Sequence, residues 1–401
     1  MSDPRQLSRG LAPLFLAGFT TAFGAHGVAS VLGTQTDDIG LSLLGLGVVL
    51  ALYDVAELVL KPVFGALSDR IGAKPIIVGG LVGFAVASLL ALISPTPLVL
   101  ALARLGQGAS AAAFSPASSA TVARLAGKDQ LGGYFGKYGA WKSVGYALGP
   151  LIGVALSHWL GIRALYIALT AVAALASVWA AVGTPSLPVL PRKRSTFADL
   201  VHGLAQRGFL VPTALLATAT GTLAVAVGFL PLLATRLGLN PMVGAGAVAI
   251  LAVASTVVQP VVGRWRDHRR VSTGSGSGVV LLASAAAVLA LALWPHLVPL
   301  LVTAALIGVM VGTLTPLGFA HLADMTPEER MGTTMGNAEM GREIGDAGGP
   351  LLIGAIAAAA MLPVAFATLA AIQAGVGGLA WLTLRRTPRT EAGDALPMAD
   401  D

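Results

Sequence analysis

Apolar runs about as long as a bilayer is thick recur along almost the whole of this 401-residue chain. A helix needs roughly 20 such residues to cross hydrocarbon, and by that measure about twelve runs stand out. They are Leu11–Leu32, Leu41–Leu67, Pro75–Ile93, Leu98–Leu125, Leu131–Trp159 and Arg163–Val182, then Phe209–Leu233, Met242–Val262, Val279–Trp294, Val298–Ala323, Thr333–Met361 and Pro363–Leu384. A mean hydropathy of +0.81 with only 11% charged residues would leave a water-soluble globule coated in apolar patches. The pattern therefore predicts an all-α membrane protein with twelve transmembrane helices.

The charge distribution sets orientation. The net charge of +6 does not gather on one segment, which argues against a nucleic-acid partner; the basic residues recur at alternate turns, as the positive-inside rule expects. Arg5, Arg9, Arg70, Lys74, Arg124, Lys128, Arg192, Lys193, Arg194, Arg207, Arg264, Arg266, Arg269, Arg270, Arg330, Arg385, Arg386 and Arg389 fall on one side, against Arg163 and Arg236 on the other. Both termini are thus expected in the cytoplasm, with no cleaved signal at the N-terminus. The absence of cysteine excludes disulfides, thiolate metal sites and thiol catalysis. The six histidines are scattered, which leaves no metal site, cofactor site or enzymatic cluster to propose.

The chain also repeats. Pro62, Val63, Gly65 and Asp69 reappear 198 positions later as Pro260, Val261, Gly263 and Asp267, and Pro116, Gly132, Gly136, Gly145, Gly149 and Pro150 reappear 200 later as Pro316, Gly332, Gly336, Gly345, Gly349 and Pro350. Parallel repeats of six spans predict two pseudo-symmetric six-helix bundles with a substrate path between them, opened alternately by rocking. Residues 1–183 form the first bundle in this reading and 209–386 the second. Residues 184–208, with Pro185, Pro188, Pro191 and a mildly amphipathic stretch at Phe197–Leu204, are the cytoplasmic linker, and 387–401 a disordered acidic tail.

Three motifs carry a family resemblance. The segment Pro62 to Lys74 reads as a charged turn ending one span and opening the next. Its Gly65, Leu67, Asp69, Arg70, Gly72 and Lys74 resemble the signature loop of the major facilitator superfamily of secondary transporters, with Ala73 departing from the family's basic residue. In the fourth span Arg104, Gln107, Gly108 and Ala109 resemble the second motif of the superfamily's drug-exporting branch. In the fifth, Gly145, Gly149, Pro150 and Gly153 resemble the antiporter motif, whose closing double glycine is half present as Gly153-Val154. The resemblance implies the major facilitator fold and proton-coupled export of small lipophilic compounds by a monomer in an inner membrane. It assigns Arg104 to proton handling or cavity structure, and has Gly145, Gly149, Pro150 and Gly153 bend the fifth helix against the opposite bundle. Asp69 docks on the start of the eleventh helix and gates with Gly65, Arg70, Gly72 and Lys74.

Charges inside the spans mark the candidate site, because ionisable groups in a membrane face partners or water-filled cavities. Asp54, Glu57 and Lys61 share one helical face by their spacing of three and four, as do Glu339, Arg342, Glu343 and Asp346. Lys137, Lys142 and Arg104 complete five acids and five bases. The resemblance makes the second and eleventh helices meet across the interface, so these faces confront each other. Asp54, Glu57, Arg104 and Asp346 are the expected proton and charge relay, since a desolvated carboxylate that loses its cation takes up a proton. Lys61 and Glu339 are placed nearer the inner face, within reach of water, where a purely structural role as latches is the alternative to a part in the relay. Tyr53, Tyr138, Trp141, Lys142, Arg342 and Glu343 are the expected lining of the substrate cavity, and Phe15, Phe19, Phe23 and Phe229 are open to the same role. His26 is read as a packed polar side chain. The repeat places Lys142 and Arg342 at matching depths, where they serve an anionic substrate or neutralise nearby acids, Arg342 pairing with Glu57 or Glu343. An anion carrier is accordingly the alternative function.

Overall fold

The computed structural model describes residues 4–34, 42–93, 96–191 and 206–384. The basic run at 192–194, the amphipathic stretch at 197–204 and the tail lie outside them. Twelve long helices fill the described chain: α1 Pro4–Thr34, α2 Leu43–Ile71, α3 Ala73–Ile93, α4 Pro97–Ala126, α5 Leu131–Leu160 and α6 Ile162–Gly183, then α7 Arg207–Arg236, α8 Pro241–Asp267, α9 Thr273–Leu293, α10 Leu297–Met325, α11 Met331–Ala359 and α12 Leu362–Thr383. Helices are the form in which such runs satisfy every backbone group without water. Their starts are signalled locally: the side chains of Ser42, Thr96, Asn240 and Ser272 accept from amides of the first turn, and Pro97 and Pro241 follow two of those caps.

Ten of the twelve are long and apolar enough to cross a membrane. The two that fall short are α2 and α11, the helices that carry Asp54, Glu57 and Lys61 and Glu339, Arg342, Glu343 and Asp346. Most boundaries shift from the sequence reading, with α1 starting seven residues earlier at Pro4, and three of the shifts bear on the site and its packing. Helix α2 runs through Asp69 and Arg70, so the charged segment is its last turn and the true turn is Gly72 alone, whose φ of 97° suits glycine. Helix α8 likewise runs on to Asp267. Helix α9 begins at Thr273, inside a Gly/Ser stretch that reads as loop, because Gly276 and Gly278 give Leu317 of α10 and Trp381 of α12 room to close on it.

Helices α1–α6 and α7–α12 form two bundles with matching neighbours. Helix α1 packs on α5 as α7 does on α11, α2 on α4 as α8 on α10, and α3 on α6 as α9 on α12. Two apolar clusters form the core: one centred in the first bundle on residues such as Leu81, Phe84 and Tyr166, which reaches across the seam to Phe319 and Met335, and one within the second bundle around Leu251, Leu281 and Leu300. The bundles meet along two seams, α2 against α11 and α5 against α8. At both, backbones approach at glycine: Gly65 lies on Gly332 and Gly336, Gly263 on Gly132, and no side chain would fit there.

Candidate functional site

Gly145, Gly149 and Gly153 do not face the opposite bundle. They seat α5 on α1 of their own bundle, against Phe19, Phe23 and Gly27, and Gly345 and Gly349 seat α11 on Ala217 and Gly221 of α7 in the same way. Helix α5 continues through Pro150 to Leu160. Removing side chains from that face brings two helices of one bundle together and leaves the remaining face of α5 and α11 for the seam.

At the face where α2 ends and α11 begins, the Asp69 carboxylate accepts hydrogen bonds from the Gly332 amide at 2.7 Å, the Thr333 amide at 2.8 Å and the Thr333 hydroxyl at 2.7 Å. Its repeat mate Asp267 accepts from the Gly132 amide at 2.8 Å and the Gly133 amide at 2.6 Å at the start of α5. The residues in the capping positions of these two helices, Arg330 and Gln130, make no side-chain cap. Each helix N-terminus is therefore capped in trans by an acid of the opposite bundle, where amide donors and the helix dipole favour negative charge. The sequence reading named Asp69 alone; the repeat that maps Asp69 onto Asp267 was the signal for the second latch. Arg70 is exposed, Lys74 half-buried, and neither reaches an acid within ion-pair distance among the described residues.

Deeper in the α2/α11 seam lies a balanced ionic hub. Glu339, with no exposed surface, meets Arg342 at 3.2 Å, Lys142 at 3.7 Å and Lys61 at 3.8 Å, and accepts a hydrogen bond from Ser119 at 3.2 Å. Lys61, 1% exposed, also holds Glu343 at 2.5 Å and Glu57 at 3.3 Å. Lys61 and Glu339 are thus buried at the centre of the site, contrary to their expected place near a wet face. Arg342 pairs with Glu339 and donates to the Tyr146 hydroxyl at 3.0 Å, instead of pairing with Glu57 or Glu343. Three acids and three bases balance here, as buried charge requires. The matching stretch of α8 in the pseudo-symmetric seam is uncharged: Asp54, Glu57 and Lys61 have Ala252, Ser255 and Gln259 as their mates, and Gln259 donates to Ser143 at 2.8 Å.

On the side of the hub away from the latches, a cavity of about 180 Å³ is lined by α1, α2, α4 and α5, and by two residues of the second bundle, Glu343 and Asp346. Asp54, Glu57, Lys61, Tyr53, Arg104 and Lys142 all reach it. Arg104 is 2% exposed. It stacks over the Tyr53 ring at 4.1 Å and donates to Gln107 at 3.4 Å, so it does not extend to the membrane surface. His26, read from sequence as packing, stands on the cavity wall with its ring 4.4 Å from that of Tyr146. Tyr138, Trp141 and Arg342 do not line it. Tyr138 is buried beneath Lys142 and beside Phe15; Trp141 is 47% exposed and meets Phe19 edge-on. Phe19 and Phe23 stack on each other, and Lys137 lies exposed over Tyr134, so the inward charge is five acids to four bases. Among the described residues, Asp54, Asp346 and Arg104 are the lining charges that form no ion pair.

The family model of the Major Facilitator Superfamily matches residues 14–296 and 270–398. The chain belongs to the Major Facilitator Superfamily. It is similar to a chloramphenicol resistance protein of Pseudomonas aeruginosa, 34% identical over 154 residues that cover 37% of this chain and 35% of that protein. Another relative is the quinolone resistance protein NorA of Staphylococcus aureus, 31% identical over 140 residues that cover 35% of this chain and 36% of NorA. The chain spans little more than a third of the length of each of these curated relatives. The crystal structure of the human organic anion transporter MFSD10 shares the fold, with a TM-score of 0.79 at 18% identity, covering 94% of this chain and 100% of that one. This transporter fold, and the helices that span its membrane, are the frame in which the charged cavity operates.

Proposed function

We propose that this superfamily member is a secondary active transporter that exports small compounds, lipophilic drugs among them, in exchange for protons by alternating access. It works as a monomer in a bacterial-type inner membrane with both termini in the cytoplasm. The observation that carries the reading is the pair Asp54 and Asp346, carboxylates from opposite bundles that line one cavity without an ion pair. Protons or a cationic substrate group neutralise them in turn, and only the neutralised pair lets the two bundles close over the cavity. The latches at Asp69 and Asp267 hold the cytoplasmic side shut in the conformation described, so the cavity faces outward. The resistance relatives support the export direction. An anion carrier built on Lys142 and Arg342 fits less well, because both cations are already bound to Glu339.

The test is proton movement in proteoliposomes holding an internal pH dye under an imposed pH gradient, with lipophilic cations and small organic ions added in turn. The expected result is compound-driven proton movement in wild type that is lost in Asp54→Asn and in Asp346→Asn. Compound transport with no proton movement, or proton coupling intact in both variants, refutes the exchange.

A further inference from the structure

Setting aside the six residues of the balanced hub leaves three charges around the cavity, and their arrangement describes a ligand. Arg104, on α4 of the first bundle, is buried to 98% of its surface by its exposure of 2%, and its Nε has no hydrogen-bond partner among the described residues. Its direct contacts are the Tyr53 face and one amide oxygen of Gln107, and Asp54, the acid nearest in effect, stays beyond ion-pair distance. A buried cation with an unsatisfied donor calls for an anionic acceptor. Asp54, next to Tyr53 on α2, and Asp346 on α11 are carboxylates with no cation within ion-pair distance among the described residues. The remaining lining combines Ala22, Ala25, Ala29 and Leu50, a strip for an apolar body, with the polar side chains of Thr21, His26, Ser115 and Tyr146.

We infer that the cavity takes a compact zwitterion, whose carboxylate binds Arg104 and whose ammonium binds Asp346 and Asp54. Volume agrees. The cavity of about 180 Å³ lies below the range of about 300–1,000 Å³ for pockets that enclose drug-sized ligands. A molecule of amino-acid size fits, with its apolar body against the alanines of α1. A zwitterion also spans the seam, because its two charges engage opposite bundles. The inference rests on the proposed exchange for the direction of movement and narrows its cargo from lipophilic drugs to a compact zwitterion, and the ligand class is tested separately from the exchange.

Three probes share one branched carbon skeleton: free leucine, isoamylamine, which keeps the cation alone, and 4-methylpentanoate, which keeps the anion alone. Their binding to the full-length protein in lipid nanodiscs is measured by calorimetry. Leucine is expected to bind about ten- to a hundredfold more tightly than either single-charge analogue, the worth of one charged hydrogen-bonded contact. Arg104→Gln should abolish its advantage over the amine, and Asp346→Asn its advantage over the carboxylate. Asp346 is only half-buried and forms no ion pair, so Asp346→Asn carries the test if Arg104→Gln does not fold. Equal binding of leucine and amine, equal binding of leucine and carboxylate, or binding of none of the three overturns the ligand class. Leucine binding without proton movement in proteoliposomes refutes the exchange while leaving the ligand class standing.

Discussion

Neutralising Glu339 isolates the energetics of the hub in one atom change. The Glu339→Gln side chain keeps its shape and its contact with Ser119 but loses the charge that faces three cations. Those cations do not suffer equally. Lys61 retains Glu343 and Glu57, and Arg342 retains the Tyr146 hydroxyl. Lys142, 8% exposed, is left with the Ser115 hydroxyl at 3.5 Å as its hydrogen-bond acceptor. Arg342 likewise keeps only a neutral hydroxyl, so one positive charge on the Lys142 and Arg342 pair is left uncompensated, at a cost of about 3–5 kcal/mol. Thermal unfolding of the purified protein, followed by tryptophan fluorescence, should show a melting temperature lowered by several degrees. Adding Lys142→Met removes the excess positive charge and should recover most of the loss, giving a coupling of about 3 kcal/mol in the double-mutant cycle. Glu343→Gln, which leaves Lys61 with two acids, should cost clearly less. Wild-type melting of Glu339→Gln, or additive effects of the two substitutions, would refute the hub as the organiser of this seam.

Asp69→Asn and Asp267→Asn should each weaken a trans cap by about 1.5–3 kcal/mol and shift the population toward a conformation open at the latched face, with additive effects from the two separate seams; spin-label distances between α3 and α9 ends at that face would report it. Gly65→Leu, which drives a side chain into the Gly332 carbonyl, should open the same face without touching any charge, and a wild-type distance distribution would refute close backbone approach as the reason for that glycine. Tyr146→Phe removes the acceptor of the 3.0 Å hydrogen bond from Arg342 and should lower stability by about 1–3 kcal/mol, measured by the same thermal unfolding.

Much of the fold was legible because a membrane leaves one solution for long apolar runs, and because a duplicated chain displays its own symmetry at Gly145 and Gly345 or Asp69 and Asp267. Helical spacing also revealed which charges share a face. Pairing across the seam was not legible, since it depends on the rotation of α11 against α2 and α5; that rotation gives Arg342 to Glu339 and Lys61 to Glu343. Trp141 and Lys142 are neighbours in sequence, yet the roughly 100° step of a helix sends one outward and the other into the site. Glycine-rich segments misled in both directions: Thr273–Gly278 reads as loop but is helix, and the glycines of α5 read as a seam but pack on α1.

The cavity wall is unequally shared, with four helices of the first bundle supplying nearly all of it and the second bundle contributing Glu343 and Asp346 alone. Duplication gave the two halves the same scaffold, and they have since divided the labour. Changes in ligand preference should map mostly to α1, α2, α4 and α5, with the second half holding its place through Glu343 and Asp346. A chimera that joins residues 1–191 of this chain to the second half of a relative should therefore inherit the ligand preference of the first half, provided the two acids on α11 are retained.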